Sequence, residues 1–248
     1  MRALLRAELL KQRSTRTAVG LFASLLGLVL LAVLLHGFGL PAEDLGSTSR
    51  QLMVFGRGEF LGALFAALLG AMSITAEIRH GTIRSTFLVS PWRERVVWAK
   101  VWVSALIGAG FGLAACALAA GVGTAVLRAR GIDLQLDAGD YALLLAGGTA
   151  AAALWAAIGV GLGAVVRNQV PTLIGICAWL LFVEGLLIGD VAGLGKVGRF
   201  APGAAAQAIT GQDPGTLLAP AVGLVLLALY AAAAALAGSL ATSRHDVV

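Results

Sequence analysis

Six long apolar runs decide what this chain can fold into, at about Thr17 to Phe38, Phe60 to Ala76, Val101 to Leu127, Tyr141 to Val166, Thr172 to Ile188 and Leu217 to Leu240. Five hold no Asp, Glu, Lys or Arg, and the run from Thr172 holds only Glu184. A stretch of about 20 apolar residues crosses roughly 30 Å of hydrocarbon as a helix. Inside a bilayer every backbone N–H and C=O must be satisfied by the chain itself, which restricts spans to helices or closed barrels. A barrel needs segments of about ten residues that alternate apolar with polar, and these runs are longer and unbroken. The fold expected is all-α and integral to the membrane, one domain over residues 1–248 with six transmembrane helices.

Composition agrees. Of 248 residues 59% are hydrophobic and 12% charged, and the spans leave no room for a sizeable soluble catalytic domain. Thirty-three glycines allow helices to approach closely, and Gly108-x-x-x-Gly112 and Gly159-x-x-x-Gly163 have the spacing of small-residue helix crossings. That spacing serves packing within one chain or a dimer seam equally. Cys116 and Cys177 both fall in apolar runs and are read as packing residues, with no disulfide and no metal. His36, His80 and His245 lack metal-site spacing.

Orientation follows from the eighteen Lys and Arg residues. Twelve fall on the side of the N-terminus, the second-to-third loop, Arg167 and Arg244, against six on the other side. The positive-inside rule then makes both termini cytoplasmic. The first run follows basic residues as a secretory signal would, but it is longer than a typical signal core and no Ala-x-Ala site follows, so a retained helix is expected. The net charge of +5 is a topology and lipid-headgroup signal, not a nucleic-acid signal, since no basic stripe with interleaved aromatics occurs. Membrane lipids are the partners this charge implies.

Four segments could carry function. Residues 1–16 place Met1, Leu4, Leu5 and Leu9 near one helical face and Arg2, Arg6 and Arg13 on another, an amphipathic interface helix that serves as an anchor or also touches a cytoplasmic partner. Residues 77–100 form a loop too long for a minimal turn. Gly81 breaks the preceding helix, Thr82 to Val89 suits a short helix ended by Ser90 and Pro91, and Ile83 and Phe87 stand four residues apart with Arg84 elsewhere. Such a helix could plug a partner's groove; the plain alternative is a solvated loop with Trp92 and Trp98 at headgroup level. Glu184 must be paired, protonated or facing water, through a structural hydrogen bond or on a translocation route. Residues 189–216 carry only Asp190, Lys196, Arg199 and Asp213 as charges, and Phe200 to Thr210 is apolar enough to dip back into the bilayer; an ordinary packed outer loop is the alternative.

Familiar catalytic motifs are missing. Near Gly195-Lys196, Asp190 and Val197 replace the residues a phosphate-binding loop needs, and there is no H-E-x-x-H or G-x-S-x-G.

AELLKQRSTRTA before the first span, ITAEIRHGTIRSTFLVSPWRERVVWAK after the second, and FVEGLL followed by KVGRFAPGAAAQAITG before the last resemble the membrane subunits of bacterial type-2 ATP-binding-cassette (ABC) exporters. The most specific element is E-x-R-x-G-T-x-x-x-T-F-L, matched by Glu77, Arg79, Gly81, Thr82, Thr86, Phe87 and Leu88. The resemblance implies a non-enzymatic permease in the cytoplasmic membrane, paired with a second permease copy (a homodimer or a homologue) and two copies of a cytosolic ABC ATPase. ATP and Mg would bind in that ATPase, with no cofactor in this chain. It implies that residues 77–100 hold a coupling helix with Glu77, Arg79, Gly81, Thr82, Ile83, Arg84 and Phe87 at the ATPase contact, and that 189–216 is an outer re-entrant hairpin. The rival readings are a stand-alone secondary carrier, which predicts more intramembrane polar groups, and a membrane anchor that transports nothing.

Overall fold

The computed structural model describes residues 1–83, 86, 88, 92–188, 195–212 and 216–244. Arg84, Phe87, the Ser90-Pro91 helix stop, Asp190, Asp213 and His245 lie outside the described residues. Helix α1 (Arg2–Ser14) leads into α2 (Arg16–Gly39), a short α3 (Thr48–Phe55), α4 (Arg57–Arg79), α5 (Arg93–Ala129), α6 (Ala138–Val166) and α7 (Gln169–Ala178). The chain continues through a π-helical turn at Trp179–Val183 into α8 (Glu184–Ile188), then α9 (Gly195–Gly198), α10 (Pro202–Ile209) and α11 (Pro220–Arg244). Among the described residues every regular element is helical, and six helical stretches are long and apolar enough to cross a membrane. The chain is read as a multi-pass membrane protein. Six crossings bring both ends of the chain to one end of the bundle, the terminal face.

The spans outrun the uncharged runs. Helix α5 starts eight residues before Val101 and α4 starts at Arg57 rather than Phe60, because charged residues occupy the helix ends and some are folded inside the bundle. Local signals set the stops. Asp137 and Asp140 form a reciprocal capping box at the start of α6, with Asp140 N–H donating to Asp137 Oδ1 at 2.9 Å and Asp137 N–H to Asp140 Oδ2 at 3.0 Å. Arg167 closes α6 in the left-handed region at φ 57°, its N–H on the Gly163 carbonyl, and only Arg167 and Asn168 separate α6 from α7. The two helices thus form a tight hairpin, with Pro171 in the first turn of α7.

Helices α4, α5 and α6 form the centre, each packed on the other two, and α11 packs on α6. The α3–α4 and α6 spans are 61% buried, whereas the α2, α7 and α11 spans stay below 30% and present their apolar faces outward. Close approach through small residues builds this centre. A Cβ on Gly112 would stand 2.5 Å from the Gly148 carbonyl oxygen and 2.6 Å from Ala152 Cβ. Its motif partner Gly108 meets Ala152 and Ala156, while Gly159 and Gly163 meet Ala67, Ala71 and Thr75 of α4. Both small-residue motifs are thus used within the chain. Between the first two apolar runs stands α3, whose Phe55 is fully buried and whose Gln51 amide donates to the Leu45 and Asp133 carbonyls at 2.9 Å each.

Two glycines two residues apart on α5 make the packing testable. Gly112→Ala forces backbone apart and should cost about 1–3 kcal/mol, whereas Gly110, which has nothing within 4 Å of an added Cβ, should accept alanine without loss. Denaturant or thermal unfolding of the two purified variants checks this.

Candidate functional site

Three pairs of polar residues, each four apart on a helix, meet at the terminal face. Glu8 and Gln12 lie on α1, Ser73 and Glu77 on the last two turns of α4, and Lys100 and Ser104 on the third and fourth turns of α5. Side chains at i and i+4 share a helix face, so each helix offers two aligned polar groups. Those of α1 register onto those of α5: Lys100 Nζ donates to Glu8 Oε2 at 2.8 Å, and Gln12 Nε2 to Ser104 Oγ at 2.9 Å. Lys100 also donates to the Ser73 carbonyl at 3.0 Å and pairs with Glu77 Oε1 at 2.9 Å, which uses all three of its protons.

Lys11 completes the cluster. Its Nζ pairs with Glu8 Oε1 and Glu77 Oε1, both at 3.0 Å, and reaches Thr86 Oγ1 at 3.5 Å. Two lysines and two glutamates therefore alternate, each carboxylate bridging both ammonium groups. Lys100 is 0% and Glu8 1% exposed. Burial of a charge is tolerated only with such compensation, and removing one partner of a buried pair costs about 3–5 kcal/mol. Burial works to lower the Lys11 pKa, but hydrogen bonds to Glu8 and Glu77 outweigh it and hold this half-exposed ammonium above the usual lysine range.

Helix α1 meets the bundle through polar side chains. Its buried residues are Glu8 and Gln12, Leu4, Leu5 and Leu9 are half-buried, and Met1 and Leu10 are exposed. The helix docks by charge and hydrogen bonds more than by leucines.

Along the 77–100 segment, Glu77 is in the cluster, and Arg79 Nη1 donates to Gln169 Oε1 at 3.3 Å, tying the end of α4 to the start of α7. Gly81 has φ 69°, the left-handed conformation that ends α4 and that glycine adopts without strain. Thr82 Oγ1 reaches the Glu77 carbonyl at 3.5 Å, and Thr86 N–H donates to the Thr82 carbonyl at 3.3 Å. Ile83, expected as an exposed anchor, is 5% exposed and belongs to the chain's own core. Among the described residues the exposed apolar side chains of the segment are Leu88 and Trp92, with the Arg95 guanidinium 4.8 Å from the Trp92 ring centre. Arg84 and Phe87 lie outside the described residues.

Two buried carboxylates sit toward the opposite face. Glu184 Oε1 accepts from Trp179 Nε1 and from the Gly203 N–H, both at 2.7 Å, so the π turn brings it to the N-terminal end of α10. The structural hydrogen bond is one of the two readings open for Glu184, and the geometry supplies it. Glu59, 2% exposed, accepts from Gln212 Nε2 at 3.1 Å just past the other end of α10. It escaped the span reading because the uncharged run starts one residue later. Among the described residues no three His, Cys, Asp or Glu side chains converge as a metal site requires. No protein-family profile matches the sequence, and no curated protein matches it.

Two outcomes follow. Lys100→Met should release α1 and cost about 3–5 kcal/mol, while adding Glu8→Leu should restore part of that loss, because Glu77 keeps Lys11; amide exchange over Arg2–Ser14 reads both. Since the folded-state pKa of Lys11 is raised, its contribution is fully present through neutral pH and fades only as pH climbs through that raised value. Exchange protection of α1 that fell between pH 7 and 9 would contradict this.

Proposed function

We propose that the chain is the membrane-spanning permease subunit of a bacterial type-2 ABC exporter, moving a substrate of unidentified class across the cytoplasmic membrane with ATP hydrolysed by a separate subunit. The observation that carries the reading is the charge cluster of the terminal face. It joins the N-terminal helix, the end of α4 and the start of α5 to the segment that resembles a coupling helix. A push on that segment would reach two spans and α1 together. The twelve-to-six distribution of Lys and Arg supports a cytoplasmic terminal face, where a cytosolic ATPase would dock.

In this reading two permease copies work with two ATPases, which hold the ATP and Mg. Closure of the ATPases displaces the coupling segments and rocks the paired permeases between inward and outward openings. Glu77, Arg79, Gly81 and Thr82 shape the segment's base, with Arg84 and Phe87 as contacts. Ile83, seated in the chain's own core, fastens the segment, and exposed Leu88 and Trp92 offer the partner apolar surface. Helix α1 would lie along the cytoplasmic leaflet, and α10, buried along Gly203 to Ala206 and at Ala208 and Ile209, would be the arm of an outer re-entrant hairpin.

One observation favours a stand-alone carrier as the second reading: Glu59 joins Glu184 as a second buried carboxylate in the spans. The two readings part on the ATPase. Mild-detergent purification from the native host should bring down a cytosolic ATPase at about equal amount, and deletion of residues 82–88 should abolish that association while leaving membrane insertion intact. An ATPase still bound to the deleted protein removes the coupling assignment, and transport by the purified chain alone favours the carrier.

A further inference from the structure

Folding sorts the charges of α1. Its one carboxylate, Glu8, is turned inward at 1% exposure and paired with Lys11 and Lys100, while Arg2, Arg6 and Arg13 stay exposed, as does Arg16 at the start of α2. Among the described residues none of these four guanidinium groups has an ion-pair or hydrogen-bond partner. Lys11 is neutralised by Glu8 and Glu77, so the outward surface of α1 carries positive charge alone. On the described terminal face the exposed carboxylate is Glu94, and it stands between Arg93 and Arg95 at the start of α5.

The arginines are also grouped. At 3.6 residues per turn, Arg2, Arg6 and Arg13 fall within about 40° of arc, in a stripe about 16 Å long. The stripe has apolar borders. Going round the helix from the docked face of Glu8 and Gln12, half-buried Leu5 and Leu9 come first, then the arginines, then Leu10 at 68% exposure. A basic band bordered by leucines suits a helix lying where headgroups meet acyl chains. The location agrees: Thr15 alone separates α1 from α2, whose span is 17% buried and turns Val19, Leu28 and Leu31 outward. The arginines therefore stand where a lipid-facing span enters the bilayer.

We propose that the outward face of α1 binds anionic phospholipid headgroups, with their phosphates on Arg2, Arg6 and Arg13 and their acyl chains beside Leu5, Leu9 and Leu10. The planar fork of an arginine matches phosphate oxygens two at a time. A zwitterionic head carries its own cation, so net negative charge decides which lipid gains. Lipid binding and docking of α1 are linked, because an undocked α1 would free the Glu8 carboxylate and weaken its hold on an anionic surface; what binds the docked form stabilises it. The proposal rests on the membrane placement of the spans and needs neither an ATPase nor a second copy.

The test is photolabelling of the full chain in phosphatidylcholine nanodiscs that carry a small share of a diazirine lipid, either phosphatidylglycerol or phosphatidylcholine. Each arginine near an anionic surface contributes up to about fivefold, so phosphatidylglycerol should label Arg2–Ser14 about tenfold or more over phosphatidylcholine. Arg2→Gln, Arg6→Gln and Arg13→Gln together should bring that ratio to roughly one, and lysine at the same positions should keep most of it. Glutamine at exposed Arg50, Arg128 and Arg199, toward the opposite face, should leave it unchanged. Amide protection over Arg2–Ser14 should rise when phosphatidylglycerol replaces phosphatidylcholine throughout the disc, and should not rise in the triple glutamine variant. Equal labelling by the two lipids, or a preference that survives loss of the three arginines, would overturn the proposal and leave the exporter reading untouched. Protection indifferent to lipid charge would remove the link to docking.

Discussion

The buried ammonium of Lys100 is the constraint on which the terminal face depends. A fully buried lysine is sustained only if each of its protons meets an acceptor, and the three acceptors come from two other helices: Glu8 of α1, and the Ser73 carbonyl and Glu77 of α4. Satisfying one side chain therefore fixes the relative position of α1, α4 and α5. Lys11 then draws in Thr86, so the segment beyond α4 is held by the same charges. Such a cluster contributes little net stability compared with apolar packing of equal volume, and its effect is to specify one arrangement.

The rest of the bundle is held differently. Lipid tails give helices no hydrophobic reason to associate, so α4, α5 and α6 rely on glycine and alanine contacts that bring backbones together. This rigid centre leaves α2, α7 and α11 with largely unburied apolar faces. At the opposite face α10 is seated between two carboxylates, Glu184 at its start and Glu59 through Gln212 just past its end.

The six spans were legible in the sequence because a bilayer punishes any unsatisfied backbone, and the hairpin at Arg167–Asn168 was legible from its proline and brevity. The charge cluster was not. Lys100 and Lys11 read from sequence as topology signals, and only folding shows that they neutralise Glu8 and Glu77. A usable hint existed in the i, i+4 spacing of Glu8 and Gln12, Ser73 and Glu77, and Lys100 and Ser104, each at the edge of an apolar run. Glu184 was legible as a carboxylate in need of partners, but its pairing with Gly203 rests on a π turn that helical periodicity does not anticipate. The inward placement of Ile83 was hidden because an isolated apolar residue suits a partner's groove and its own core alike.

The direct test of the account is cysteine crosslinking between positions 12 and 104 with a short bis-methanethiosulfonate, with Gln12→Cys and Ser104→Cys introduced into a chain whose Cys116 and Cys177 are replaced by serine or alanine. The two native side chains touch at 2.9 Å across α1 and α5, and the reagent replaces the length lost from the glutamine, so it should join the two positions, while pairing position 104 with exposed Leu10→Cys should not. Absence of the 12–104 link, or equal linking from position 10, would show that α1 is not clasped to α5 and would remove the terminal-face cluster from which the rest is built.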